Sequence, residues 1–97
     1  MRILSQDGTI DVPYETSILH IVTSTKAEYS KSFIFYTPNN SMDSNELARY
    51  STESKAQKAM EMLHNTYYEH EAEKIYRKGN NYIHPTFQFP KDEDLEV

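Results

Sequence analysis

The sequence predicts an α+β domain: an antiparallel sheet of five or six strands, opened by an N-terminal hairpin, with one long helix packed on one face. Three observations predict it. Asp7-Gly8 separates two short β-prone runs, the stretch from Ser17 to Thr37 is rich in β-branched and aromatic residues, and apolar residues recur at helical spacing after Ser51. Runs of strands followed by a helix favour such a layer over a parallel, doubly wound sheet.

Arg2 to Gln6 and Thr9 to Val12 flank Asp7-Gly8, a two-residue turn whose backbone demands these residue types tolerate and whose twist matches paired strands. Ile3 and Ile10 then share one face, Leu4 and Val12 serve elsewhere, and Pro13 ends the second strand because it has no N–H for a ladder. Ser17 to Ser24 holds Ile18, Ile21, Val22 and Thr23, and Ser32 to Thr37 holds Phe33, Ile34, Phe35 and Tyr36. The polar connection Lys26-Ala27-Glu28-Tyr29 makes these two an antiparallel pair. Pro38 to Asn45 reads as an exposed loop, and Glu46 to Tyr50 returns as a short strand.

The helix is expected from Ser51 to about Lys78. A hydroxyl of Ser51 or Thr52 can accept a free N–H of the first turn, and Glu53 suits the positive end of the dipole. Ala56, Ala59, Met60, Leu63 and Tyr67 define the buried stripe. Beyond Tyr67 the stripe shifts to Tyr68, Ala72, Ile75 and Tyr76, so that either the helix bends or its last turns meet a second surface. Lys74, Arg77 and Lys78 complement the negative helix end, and Gly79 is placed to stop it. A last strand runs from Tyr82 to Phe89, with Phe87 and Phe89 on one side and Thr86 and Gln88 on the other. Pro85 confines it to a sheet edge or a bulge.

Length and composition bound the rest. The 97 residues allow one domain, residues 1–90, followed by an acidic flexible tail, 91–97. Fifteen acidic against 10 basic residues give a net charge of -5, which opposes nonspecific binding to phosphates. The absence of cysteine excludes disulfides, thiolate zinc sites and thiol nucleophiles. The early turn signal is incompatible with a signal-peptide core, and no apolar run approaches the roughly 20 residues that span a bilayer. A cytoplasmic location without membrane contact is the expectation. Eight Tyr and four Phe suit a thin core with wet edges, and also binding surfaces.

Candidate constellations reduce to few. His64, Glu69, His70, Glu71 and Glu73 crowd one part of the helix, but His64 and His70 stand about 240° apart around its axis and cannot grip one ion unaided. Glu73 with Arg77 accounts for part of that pattern as a solvated face, so no metal or other cofactor is expected. With two glycines there is no phosphate-cradling loop, and no serine sits in a nucleophile elbow. His20 and His84 fall in separate strands, where nothing requires them to meet as acid and base. No catalytic residues are assigned, and the chain reads as a non-enzyme.

Two surfaces remain. Tyr68, Ala72, Ile75 and Tyr76 form a candidate face for a protein partner or a second copy of the chain. Lys74, Arg77, Lys78 and Tyr82 form the one basic and aromatic cluster, able to contact a nucleic-acid backbone and stack a base.

Three blocks of sequence carry a resemblance. The opening Met1-Arg2-Ile3-Leu4-Ser5-Gln6-Asp7-Gly8-Thr9-Ile10-Asp11-Val12-Pro13-Tyr14-Glu15, the helix start Tyr50-Ser51-Thr52-Glu53 with Lys55-Ala56 and Lys58-Ala59-Met60-Glu61-Met62-Leu63, and the end Phe87-Gln88-Phe89-Pro90 occur in this order over about half the chain. In these blocks the chain resembles a family of small uncharacterised proteins of Gram-positive bacteria, their phages and integrative elements. Members usually carry Glu where this chain has Ser54, which shortens or removes the capping box with Ser51. The resemblance implies a mobile-element origin, with no catalytic residues to carry over. The expected function is a protein-interaction module, joined to a partner or to itself. The alternative is a nucleic-acid-binding accessory protein using the basic end of the helix.

Overall fold

A computed structural model describes residues 1–24, 31–38, 43–76 and 86–95, with helix side chains described up to residue 72. The chain runs β1 (Arg2–Leu4), β2 (Asp11–Pro13), β3 (Ser17–Thr23), β4 (Ser32–Pro38), β5 (Asn45–Tyr50), α1 (Glu53–Tyr76), β6 (Thr86–Gln88) and a 3-10 turn (Asp92–Asp94). The α+β class holds, but the single antiparallel sheet does not. The strands form two three-stranded sheets, β2-β1-β6 and β3-β4-β5.

The hairpin β1–β2 has the expected register, Arg2↔Pro13 to Leu4↔Asp11. Its loop is longer than a two-residue turn. The Ser5 N–H donates to Ile10 O at 2.8 Å, while the Gly8 N–H folds back to Ser5 O at 2.9 Å with Gly8 at φ 77°, so Gln6 and Thr9 leave the ladder. Asp7 clamps the loop, its Oδ1 accepting from the Ser5 hydroxyl at 2.7 Å, the Thr9 hydroxyl at 2.6 Å and the Thr9 N–H at 3.0 Å. These bonds, led by the Thr9 hydroxyl, hold the Asp7 carboxyl down at about 2. Val12 lies opposite Ile3, so it shares the buried face of Ile3 and Ile10 instead of serving elsewhere.

β6 pairs with the other side of β1 at the sheet edge, and in parallel, Ile3 opposite Phe87. Apolar alternation carries no direction. The whole of β3 to α1 supplies the long crossover that a parallel neighbour requires. Phe87 and Phe89 are buried and Thr86 and Gln88 exposed, as the alternation predicted.

β3 and β4 are antiparallel from Ser17↔Pro38 to Thr23↔Ser32, and β4 pairs antiparallel with β5 through an irregularity at Ile34/Phe35. One face of this sheet receives α1. Ile34, Ala48 and Tyr50 from the sheet meet Ala56, Ala59 and Leu63 from the helix, all at 1 % exposure or less. The two alanines let the helix backbone approach the strands closely. The expected buried stripe is thereby found, with Met60 and Tyr67 packed at its margin.

Thr52 caps the helix, its hydroxyl accepting the Lys55 N–H at 3.2 Å. With Thr52 as the cap, Ser54 is not the residue that would close a capping box. Asp92 from the far end of the chain supplies the missing anion. It accepts the Ser51 N–H at 2.7 Å and the Ser51 hydroxyl at 2.9 Å, and its other oxygen meets the Lys55 ammonium at 3.3 Å. The acidic end, expected to be a flexible tail, is therefore docked as far as Leu95, which is 7 % exposed. A negative segment is drawn to the free N–H groups and positive dipole of a helix start, and Leu95 adds apolar burial.

Candidate interaction surface

The outer face of β3-β4-β5, away from α1, carries Ile18, His20, Val22, Phe33, Phe35 and Arg49, because residues two apart on a strand share a face. Ile18 is 65 % and Val22 42 % exposed, whereas Leu19 and Ile21 on the helix side are packed against the core. Phe33 and Phe35 are half-buried neighbours on the central strand, their centroids 6.0 Å apart. The His20 ring stacks on Phe35 at 5.8 Å and 19°. The Arg49 guanidinium lies 5.2 Å from the Phe33 ring centre and 3.3 Å from Glu46. The result is an apolar and aromatic face bordered by one balanced ion pair.

A cleft lies on the helix side. Tyr14, Glu15, Ser17, Leu19, Met60, His64 and Tyr67 line an open cleft of about 400 Å³. Tyr14 stacks on Tyr67 at 4.2 Å and meets His64 edge-on at 6.4 Å. Burial, then the neighbouring Tyr67, Tyr68 and Glu15, push the Tyr14 phenol above its ordinary value, so it stays neutral and serves as a hydrogen-bonding ring. Glu15 is committed to the Met1 ammonium at 2.7 Å. This cleft can hold a planar group against two phenol rings, but its carboxylate already neutralises a fixed cation.

The residues predicted for a partner or for nucleic acid fare unevenly. Tyr68 is 70 % exposed, with its ring edge-on to Tyr67 at 6.1 Å, and Ala72 is exposed beside it. Ile75, Tyr76 and Lys74 continue the helical backbone, and their side chains lie outside the described residues. Arg77, Lys78 and Tyr82, and also His84, lie outside the described residues. His20 faces away from the helix that carries His64, so the sheet separates these imidazoles. Among the described residues no three His, Asp or Glu side chains gather as metal ligands, and no helix is long and apolar enough to cross a membrane.

The outer sheet face escaped the sequence reading. β3 is apolar on both sides, with Leu19 and Ile21 alternating with Ile18 and Val22, so alternation does not mark a solvent face. A signal was present nonetheless. A strand in a sheet covered by one helix should be polar on its far side, and here only His20 is.

No family model, no curated protein and no solved structure matches the chain. Among the described residues its fold and surface define a small α+β protein with one sheet face left open.

Proposed function

We propose that the chain is a non-enzymatic protein-interaction module, an accessory protein of a phage or mobile element, and that it works through the open face of β3-β4-β5. One observation carries the reading. Ile18 and Val22, 65 % and 42 % exposed, stand on the same face as Phe33 and Phe35. A contiguous apolar face of this kind in a chain of net charge -5 favours a protein over nucleic acid. Tyr68 and Ala72 on the helix extend the uncovered apolar area to a second surface.

The double variant Ile18→Lys/Val22→Lys tests the reading by pull-down from cells carrying the element. A protein held by the wild type and lost from the folded variant is the expected result. Equal capture by both would overturn the role of this face. Were the helix surface the dimer face instead, Ile75→Glu would leave a folded protein of smaller hydrodynamic size. The nucleic-acid alternative would instead show gel retardation at low salt that disappears in Arg77→Ala/Lys78→Ala.

A further inference from the structure

Within the described residues β3 pairs with β4 alone and forms the edge of its sheet. The opposite edge, β5, is met by Gln6, whose N–H donates to Leu47 O at 2.8 Å and whose amide pairs with Arg49. β3 itself carries none of the charged residues, prolines or bulges that blunt an edge. Its seven residues include no Lys, Arg, Asp, Glu or Pro, and its register with β4 runs unbroken.

The direction of its backbone groups follows from one bond. Ser24 N–H donates to Lys31 O at 2.9 Å, one step beyond the ladder. Antiparallel alternation then turns the N–H and C=O groups of Val22, His20 and Ile18 towards β4, and those of Leu19, Ile21 and Thr23 towards the open edge.

The strand is also a near-palindrome. About His20, Leu19 mirrors Ile21, Ile18 mirrors Val22, and Ser17 mirrors Thr23. An antiparallel strand of the same sequence, set with His20 opposite its own copy, would match like with like at every position. Leu19 and Ile21 would exchange N–H···O=C bonds across the junction. Ile18 would lie against Val22 of the second copy, and these are the two exposed aliphatic residues of the sheet. An unrelated peptide would draw no advantage from this symmetry.

We propose that the partner is a second copy of this chain, joined β3 to β3 in antiparallel fashion about a two-fold axis at His20, so that two three-stranded sheets become one of six strands. The inference rests on the interaction-module reading and names its partner. The two His20 residues form a non-hydrogen-bonded pair, the closer of the two pair types, with Cβ atoms about 5 Å apart. Each ring keeps its own Phe35 beside it. Both helices fall on the inner side, and the aromatic faces of the two copies merge on the outer side.

The register is tested by charge at the axis. Sedimentation velocity of the wild type across concentrations is expected to show a dimer. His20→Lys and His20→Glu each place like charges opposite one another, and each should weaken self-association by about tenfold or more while leaving the helical circular dichroism unchanged. An equimolar mixture of the two should restore the dimer, and neutral His20→Gln should keep it. A wild type that remains monomeric at high concentration overturns this inference but not the module reading, which stands or falls on the pull-down with Ile18→Lys/Val22→Lys. A dimer that persists in both charged variants, or one that their mixture fails to restore, overturns the β3 register.

Discussion

The side chain of Gln6 pairs with the backbone of Arg49 as another peptide group would: its Oε1 accepts the Arg49 N–H at 3.1 Å, and its Nε2 donates to Arg49 O at 3.1 Å. The same Nε2 reaches Pro90 O at 3.1 Å. One amide thus links the N-terminal hairpin, the edge of the second sheet and the C-terminal segment, where no strand among the described residues does so. Gln6 is available for this because the Ser5–Gly8 turn releases it from the hairpin ladder.

Gln6→Ala should therefore be unusually costly for a residue near the surface. It removes the hydrogen bonds to Arg49 and Pro90 together, for a loss of about 1–2 kcal/mol. In a domain of this size that lowers the thermal midpoint by about 5 °C or more. Gln6→Glu keeps the acceptor and loses the donors, so it should fall between the two. Thermal unfolding followed by circular dichroism orders the three proteins.

Asp92 governs the acid side of stability. The Ser51 N–H, then the Ser51 hydroxyl and Lys55, hold its carboxyl below the ordinary value. A carboxyl depressed in the folded state stabilises the fold above the unfolded value of about 3.9, and that stability is lost as pH falls through the folded value. Wild type should lose thermal stability below about pH 4, and Asp92→Asn should lose less across the same window. At neutral pH Asp92→Asn keeps an acceptor for Ser51 but loses the charge facing Lys55, and should already be less stable by up to about 1 kcal/mol. Thermal midpoints from pH 2 to 7 check both statements.

The elements that were legible in the sequence are those whose signal is local. The Asp7-Gly8 hairpin, the paired runs at Ile18 and Phe33, and the Ala56–Leu63 stripe each depend on neighbours a few residues away. The failures are long-range. Nothing near Phe87 shows that β6 lies parallel to β1, because alternation is the same in either direction. Nothing near Asp92 reveals a helix start about forty positions earlier in the chain. The candidate surface was missed for a related reason: Ile18 and Val22 look like core until the sheet is known to have one helical layer.

Tyr50 should set an alkaline limit. Its ring is buried and its hydroxyl donates to Pro90 O at 2.7 Å. Burial, reinforced by the nearby Asp92, pushes the phenol well above its ordinary value. An acid whose folded value is raised contributes stability that is full below the unfolded value of about 10 and declines as pH rises through the folded one. Wild type should thus lose stability above about pH 10, and Tyr50→Phe should show a shallower decline. At pH 7 the Phe variant loses the one hydrogen bond, about 1 kcal/mol. Denaturant titrations at pH 7 and pH 11 separate the two effects.

Residues kept for the fold and residues that only a partner explains should respond differently to truncation. Leu63 and Ile34 are fully buried between helix and sheet, so truncation of either to Ala removes core volume and should cost about 2–5 kcal/mol. Ile18 and Val22 are of similar chemistry but stand on the open face, and Ile18→Thr with Val22→Thr keeps β-branching while removing apolar surface. This pair of changes should alter unfolding free energy by no more than about 0.5 kcal/mol per site at a protein concentration where the chain is monomeric. Urea midpoints at low and high protein concentration provide the comparison. Equal midpoints at low concentration, with a wild-type advantage that grows with concentration, are expected if the two side chains serve an interface. A loss of several kcal/mol in the dilute variant would show instead that Ile18 and Val22 are part of the monomer's own core.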